Sequence, residues 1–233
     1  MIFNGIEKDY IRVNIELFRP PTPPIEFYKT PKRSGGSRVR KKRFTDLTLP
    51  VPVTVFGRPT VEDIKEDMTD WLVHDVPKKL VFKDKPERYY LAEYESVDLD
   101  ERKYRAKGHI YFYLQEGYRF GEFKKINITT QSSSYEISGQ VETPWKTKTI
   151  FSESANRFTL EGSNGLKIIL NFNFTAGDVL EIDSKGRDVF LNGIDLATAV
   201  SLETDWAKGE IPVGSIELVA SHETELTYDE RFY

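Results

Sequence analysis

One stretch of helical spacing interrupts a chain otherwise written in period two, and it limits the fold more than any other feature. Val61, Ile64, Met68, Trp71 and Leu72 fall on one face of a helix. The helix opens after Phe56-Gly57-Arg58-Pro59-Thr60, with Thr60 as N-cap and Asp63 three residues on. Glu62 and Asp63 place negative charge in the first turn, where the backbone dipole favours it. Asp75 to Pro77 ends it. A single amphipathic helix among strands has to bury its stripe against a sheet, so the stripe reads as a core contact and the fold as mainly β.

The strands on either side are short and punctuated by turns. Ile11, Val13, Ile15 and Leu17 alternate as in a strand. Pro20-Pro21-Thr22-Pro23-Pro24 then breaks any ladder and reads as a stiff extended connector. Val51, Val53 and Val55 alternate within 47–56, and Pro50 and Pro52 mark that segment as an edge strand. Strands are expected at 80–82, at 88–94 and at 103–113, the last dense in aromatic residues and including Gly108-His109-Ile110-Tyr111-Phe112. Beyond residue 134 the chain is all strands and turns. The segments 157–160 and 166–174 flank Gly162-Ser163-Asn164-Gly165, and 179–182 and 188–191 flank a second turn. Asn192-Gly193 is a third turn, and 216–220 with 225–228 reads as a last pair. Turns recurring between short strands indicate a β-sandwich or jelly roll.

Charge divides the chain. Residues 1–127 hold 25 Lys and Arg against 20 Asp and Glu, whereas 128–233 hold 8 against 17. The sign changes at the polar, Ser/Thr-rich segment 127–134, which sets the expected boundary between a domain at 1–127 and a second at 128–233. Within the first half, 29–43 carries eight Lys and Arg and no acid, centred on Ser34-Gly35-Gly36-Ser37 as a hairpin tip or flexible loop. Such a segment either faces an acidic surface or is a solvated, charge-protected edge. Lys32, Arg33, Arg38, Arg40, Lys41, Lys42 and Arg43 are therefore the candidate interface residues. Contact with nucleic acid is the weaker reading, because the whole chain is net −4 and DNA binding needs a sustained positive face.

The residues needed for common chemistries are missing or misplaced. There is no cysteine, which removes disulfides, thiolate metal sites and cysteine nucleophiles together. His74, His109 and His222 form no HExxH motif, and no GxSxG, P-loop or GxGxxG occurs. Asp178, Glu181, Asp183 and Asp188 cluster in sequence but do not match an EF-hand loop. Trp145 and Trp206 read as core or rim packing before a sugar-stacking platform. No catalytic, cofactor-binding or metal-binding residue is assigned. No apolar run approaches the roughly 18 residues of a membrane span, and the N-terminal residues do not read as a signal peptide.

Taken in order and spacing, a set of short motifs resembles the distal tail proteins (Dit) of long, non-contractile-tailed phages and related prophages. It comprises Phe3-Asn4-Gly5, Arg19-Pro20-Pro21, Pro31-Lys32-Arg33-Ser34-Gly35-Gly36, Val53-Thr54-Val55-Phe56-Gly57, Trp71-Leu72, Leu80-Val81-Phe82-Lys83-Asp84 and Arg88-Tyr89-Tyr90-Leu91-Ala92. In the second half it comprises Gly177-Asp178-Val179-Leu180-Glu181-Ile182-Asp183, Val189-Phe190-Leu191-Asn192-Gly193, Pro212-Val213-Gly214 and Tyr228-Asp229-Glu230-Arg231-Phe232. The resemblance implies an N-terminal, β-sandwich-like tail-hub domain with one α-helix that assembles into a hexameric ring continuing the tail tube. It implies a C-terminal galectin-like β-sandwich outside that ring. It also implies a baseplate hub, a structural virion protein at the phage tail tip that is assembled in the bacterial cytoplasm. The hub links the tube to a tail-associated or tail-tip protein and, in some phages, to receptor-binding proteins. DNA passes through such a ring without being read. The chain departs from the family's Gly-Arg-Asp-Gly-like turn at Lys32-Arg33-Ser34-Gly35-Gly36-Ser37, with more basic charge after it. The expected function is thus a non-enzymatic tail hub. A carbohydrate-binding module acting through the C-terminal sandwich is the rival from another class.

Overall fold

The helical stripe is buried in full: Val61, Ile64, Met68, Trp71 and Leu72 all lie in one core cluster with Phe3, Val53, Leu80, Ile110 and Phe112. The computed structural model describes residues 1–57, 59–206 and 209–233, so Arg58 of the helix-entry motif lies outside the described residues. It divides into two units, Met1–Phe120 with Tyr233, and Gly121–Phe232.

The first unit contains β1 (Ile2–Phe3), β2 (Ile11–Val13), β3 (Ile25–Pro31), β4 (Ser37–Phe44), β5 (Leu47–Phe56), α1 (Lys65–Leu72), β6 (Lys78–Val81), β7 (Tyr89–Arg102) and β8 (Arg105–Leu114). β7 organises the unit by serving two sheets. Its first residues pair with β6, which pairs with β1. A bulge between Tyr94 and Ser96 bends it, and beyond the bulge it runs beside β8 to a tight turn at Lys103-Tyr104. β8 pairs with β5, and β5 with β2. The strand expected at 88–94 runs on through 95–102, although acids alternate with its apolar residues there. Pairing with β8 extends the strand through them, and the acids simply occupy its solvent positions.

The helix begins as a 3-10 turn, Glu62–Ile64, and becomes α1 at Lys65. Its cap differs from the expected one. The Asp63 carboxylate reaches back to accept the Thr60 backbone N–H at 2.9 Å, and the Thr60 hydroxyl donates to the same carboxylate instead of accepting from the helix. The helix stops at Leu72, with Val73 already extended, a few residues before Pro77. The residue preceding a proline is biased against helical geometry, so Val76 cannot prolong it cheaply.

Two expectations for this unit need correction. The alternation of Ile11 to Leu17 yields a strand only over Ile11–Val13, and Ile15 projects into solvent. The Asn14 N–H still bonds the Pro52 carbonyl in register at 2.8 Å, but Pro52 has no N–H to return the bond, so the ladder ends there. β5 is also not an edge strand throughout, since Val53–Val55 is paired on both sides. Pro50 and Pro52 remain compatible because the Pro52 carbonyl faces away from β8, and the missing N–H groups face the same way.

The second unit contains β9 (Arg119–Ile128, from Gly121 on), β10 (Ser133–Ile137), β11 (Thr143–Ile150), β12 (Ala155–Gly162), β13 (Lys167–Phe174), β14 (Val179–Asp183), β15 (Asp188–Leu191), β16 (Ile194–Asp195), β17 (Glu210–Ile211), β18 (Gly214–Ala220) and β19 (Thr224–Phe232). One sheet runs β16-β15-β14-β11-β19-β9 and the other β10-β18-β12-β13. Their inner faces enclose Trp145, Phe151, Phe158, Phe174 and Leu180, and the Phe151 and Phe174 rings stack at 4.2 Å. This is the two-sheet sandwich the turn pattern predicts. The β12–β13 and β14–β15 hairpins form as expected. Asn192 (φ 51°) and Gly193 (φ 79°) make the left-handed two-residue turn into β16. The segments 216–220 and 225–228 are not a pair: β18 and β19 belong to opposite sheets. Both strands alternate toward the same core, so the sequence pattern of a hairpin and of a sheet-to-sheet crossover is identical here. The expected boundary at 127/128 falls at the end of β9.

Candidate assembly surface

The basic segment folds as an isolated two-stranded arm. β3 and β4 pair only with each other, and nearly every residue of both is exposed. Lys32 and Arg33 sit in the connecting turn, closed by the Lys32 N–H to the Gly36 carbonyl at 2.9 Å. Gly35 (φ 91°) and Gly36 (φ 75°) both take left-handed geometry there, which L side chains rarely adopt.

Register sorts the remaining candidate residues between two faces, because cross-strand partners share a face. Ile25 lies opposite Phe44, Phe27 opposite Lys42, and Lys29 opposite Val39. A bulge between Tyr28 and Lys29 leaves Arg40 as the extra residue. One face thus carries Ile25, Phe27 and Val39, which are 40%, 47% and 50% exposed, flanked by Lys29 and Lys42. The other carries Glu26, Tyr28, Arg38, Arg40, Lys41 and Arg43. On that face Glu26 accepts from Arg43 Nε at 2.8 Å and from the Tyr28 hydroxyl at 3.1 Å, while Arg40 Nε reaches the Thr30 hydroxyl at 3.2 Å. The Arg43 bond, and then that of Tyr28, hold the Glu26 carboxyl below its usual range, and Glu26 in turn raises Arg43. Arg43 is therefore partly committed to the arm itself, whereas Lys42 sits on the apolar face.

The root of the arm is fixed. The Thr45 N–H bonds the Pro24 carbonyl at 3.0 Å, and the Phe44 ring packs against Tyr118 and Tyr233 at 5.7 and 5.3 Å. Sequence reasoning found the basic residues and the tip but missed the apolar ones. The period-two spacing of Ile25 and Phe27 was the available signal, hidden by the neighbouring charge.

The other candidate chemistries dissolve into structure. Among the described residues no group of three His, Asp or Glu side chains is arranged to hold a metal ion. Asp178 caps its own turn, accepting the Thr175 N–H at 2.7 Å and the Asn192 amide at 2.9 Å. Glu181 and Asp183 pair across the sheet with Lys148 and Lys146. Trp145 is buried in the sandwich core and offers no ring face to a sugar, and Trp206 packs against the same core. His222 lies against Phe151, and His74 against Phe3. What stands out among the described residues is an exposed strand pair with an apolar face and strong positive charge.

Comparison with known proteins gives this surface a context. Residues 5–114 match the phage tail protein RIFT-related domain, and 138–232 match the C-terminal domain of the siphovirus-type tail component. The distal tail protein of Bacillus phage SPP1 is 30% identical over 194 residues, which cover 79% of this chain and 76% of that protein. Among solved structures, the SPP1 Dit protein, described as a paradigm of the hub adsorption apparatus in phages infecting Gram-positive hosts, superposes with a TM-score of 0.85 at 22% identity, covering 100% of this chain and 98% of that one. A chain of the phage P2 baseplate in its activated, calcium-containing conformation superposes with a TM-score of 0.51 at 10% identity, covering 95% and 90%.

Proposed function

The chain belongs to the distal tail protein family of phages, and we propose that residues 1–127 close into a hexameric ring that continues the tail tube. It is a structural component of the phage tail. In this reading 128–233 forms the galectin-like outer sandwich, and the ring is a hub binding the tail tube protein on one side and a tail-associated or tail-tip protein on the other. Receptor-binding proteins dock on the same hub in phages that carry them there. The role is mechanical, and no reaction is assigned to the chain.

The observation that carries the ring is the arm formed by β3 and β4. Among the described residues the arm has no third strand, and a two-stranded hairpin by itself is marginal in water. This one nevertheless spends three large apolar side chains on an exposed face. That arrangement is stable once another surface covers it. An arm and its receiving surface are different patches of one subunit, so successive subunits can join head-to-tail, and such a contact closes into a ring when its rotation does. Light scattering and electron microscopy of the purified protein test this. Closed rings are expected, and they should be lost when Phe27 and Val39 are both replaced with Ser. Rings that persist unchanged in that variant would remove the arm from the assembly.

A further inference from the structure

Resting on the ring reading above, we propose that the arm of one subunit seats in the groove between α1 and β7 of the next. The groove lies in the first unit, has a volume of about 430 Å³, and is floored by Met68, Leu72, Tyr94 and Leu99. Val73 and Val97 are exposed at its lip. A groove floored by apolar side chains and rimmed by polar ones is the usual signature of a docking site. Its occupant is a second copy of this chain, because the arm is complementary to it in two independent respects.

The first is chemical. The arm offers Ile25, Phe27 and Val39 on one face, and the groove offers apolar side chains of similar reach. The arm is seven to eight residues long, so at roughly 3.3 Å per residue it projects about 23 Å, enough to lay that face along a two-turn helix.

The second is electrostatic. From Ile25 to Phe44 the arm holds eight Lys and Arg against one Glu. The helical segment 61–75 and β7 together hold eleven Asp and Glu against two Lys and Arg. Among the described residues lining the groove the one cation, Lys65, is already shared between Glu62 and Glu101, the latter at 3.1 Å. These contacts, that to Glu62 first, raise the Lys65 pKa. Glu62 and Glu101 thus set two acids against the Lys65 cation at the rim, leaving it net negative where Lys29 and Lys42 would arrive beside Phe27. Opposite charges around an apolar centre fix register and suppress wrong partners, while the apolar centre supplies affinity.

The natural absence of cysteine makes a clean test possible. Val39→Cys places a thiol on the arm and Val73→Cys one on the groove lip; both sites are exposed, so neither replacement disturbs a core. Oxidising the double variant should give a covalent ladder ending at the ring size, whereas a mixture of the two single variants should stop at dimers. A charge swap checks the same contact without relying on thiol geometry. Lys29→Glu with Lys42→Glu should weaken self-association by about tenfold or more at 0.15 M salt, and adding Glu62→Lys with Glu101→Lys to the same chain should restore it. Rings that form without a ladder and without rescue would overturn the groove as the seat, while leaving the ring reading intact. A wild-type chain that stays monomeric at every concentration would overturn both. Ring loss on adding a tail-tip protein or DNA fragment that shields the arm thiol of the Val39→Cys variant from alkylation would assign the arm to that partner and likewise overturn the proposal.

Discussion

Replacing Trp71 with Phe should destabilise the first unit by about 2 kcal/mol. Trp71 is 3% exposed, and its indole N–H donates to the Phe3 carbonyl at 3.1 Å, tying β1 to the helix. Its ring meets Phe3 edge-on at 6.0 Å. A buried neutral hydrogen bond contributes about 1 kcal/mol. The Phe3 carbonyl keeps a second partner, the Ile6 N–H at 2.9 Å, so no orphaned acceptor adds to that loss. Shrinking indole to phenyl leaves roughly 40 Å³, which at about 24 cal/mol per Å³ adds about 1 kcal/mol. For a unit of this size the sum corresponds to a fall of roughly 6–10 °C in Tm. Differential scanning calorimetry of the whole chain should show the transition of the first unit moving while that of the second holds. A shift below about 2 °C would refute the reasoning, and so would equal movement of both transitions.

Three further outcomes are expected. In Gly108→Ala the new Cβ would lie 1.9 Å from the Asp98 carbonyl oxygen, so β7 and β8 must part; the variant should lose more than about 3 kcal/mol or fail to fold, read by circular dichroism and melting. A fragment beginning at Gly121 should melt cooperatively alone, whereas one beginning at Ile128 loses β9 from the sheet edge beside β19 and should melt earlier, by several degrees in a parallel scan. Burial pushes the Asp183 carboxyl up, but the Lys146 ammonium at 2.8 Å and the Lys185 and Gly186 N–H groups outweigh it and hold it below the usual range. A carboxyl depressed on folding stabilises above its unfolded value, near about 3.9, and the contribution is lost as pH falls through the folded one. Asp183→Asn should therefore cost about 1 kcal/mol at pH 7, with the gap closing in denaturant titrations at increasingly acidic pH.

How much of this was legible in the sequence depends on the range of the interaction that decides each element. The helix stripe, the β12–β13 and β14–β15 hairpins and the turn at Gly35-Gly36 are set by neighbours in sequence, and periodicity and turn chemistry found them. Strand continuation and sheet membership are set at long range. The acidic run after Tyr94 becomes strand only because β8 lies beside it, and Ile15 leaves the strand because the residue opposite Asn14 is Pro52, which has no N–H to return the ladder bond. The crossover from β18 to β19 looks like a hairpin from sequence because both strands feed one core. For the candidate surface, charge composition found the basic residues, but their division into two faces needed the register and its bulge. The groove was invisible because Met68 and Leu72 meet Val97 and Leu99 only after folding.

The central claim is that this tail protein assembles through its arm into a closed ring. The most direct test is the mass of the purified chain by light scattering across concentration, with negative-stain images of the same sample. The account predicts a species of six 27.0 kDa chains, ring-shaped in projection, that falls apart as salt rises and in the Phe27→Ser, Val39→Ser variant. A single-chain mass at every concentration, with no rings in the images, would contradict it.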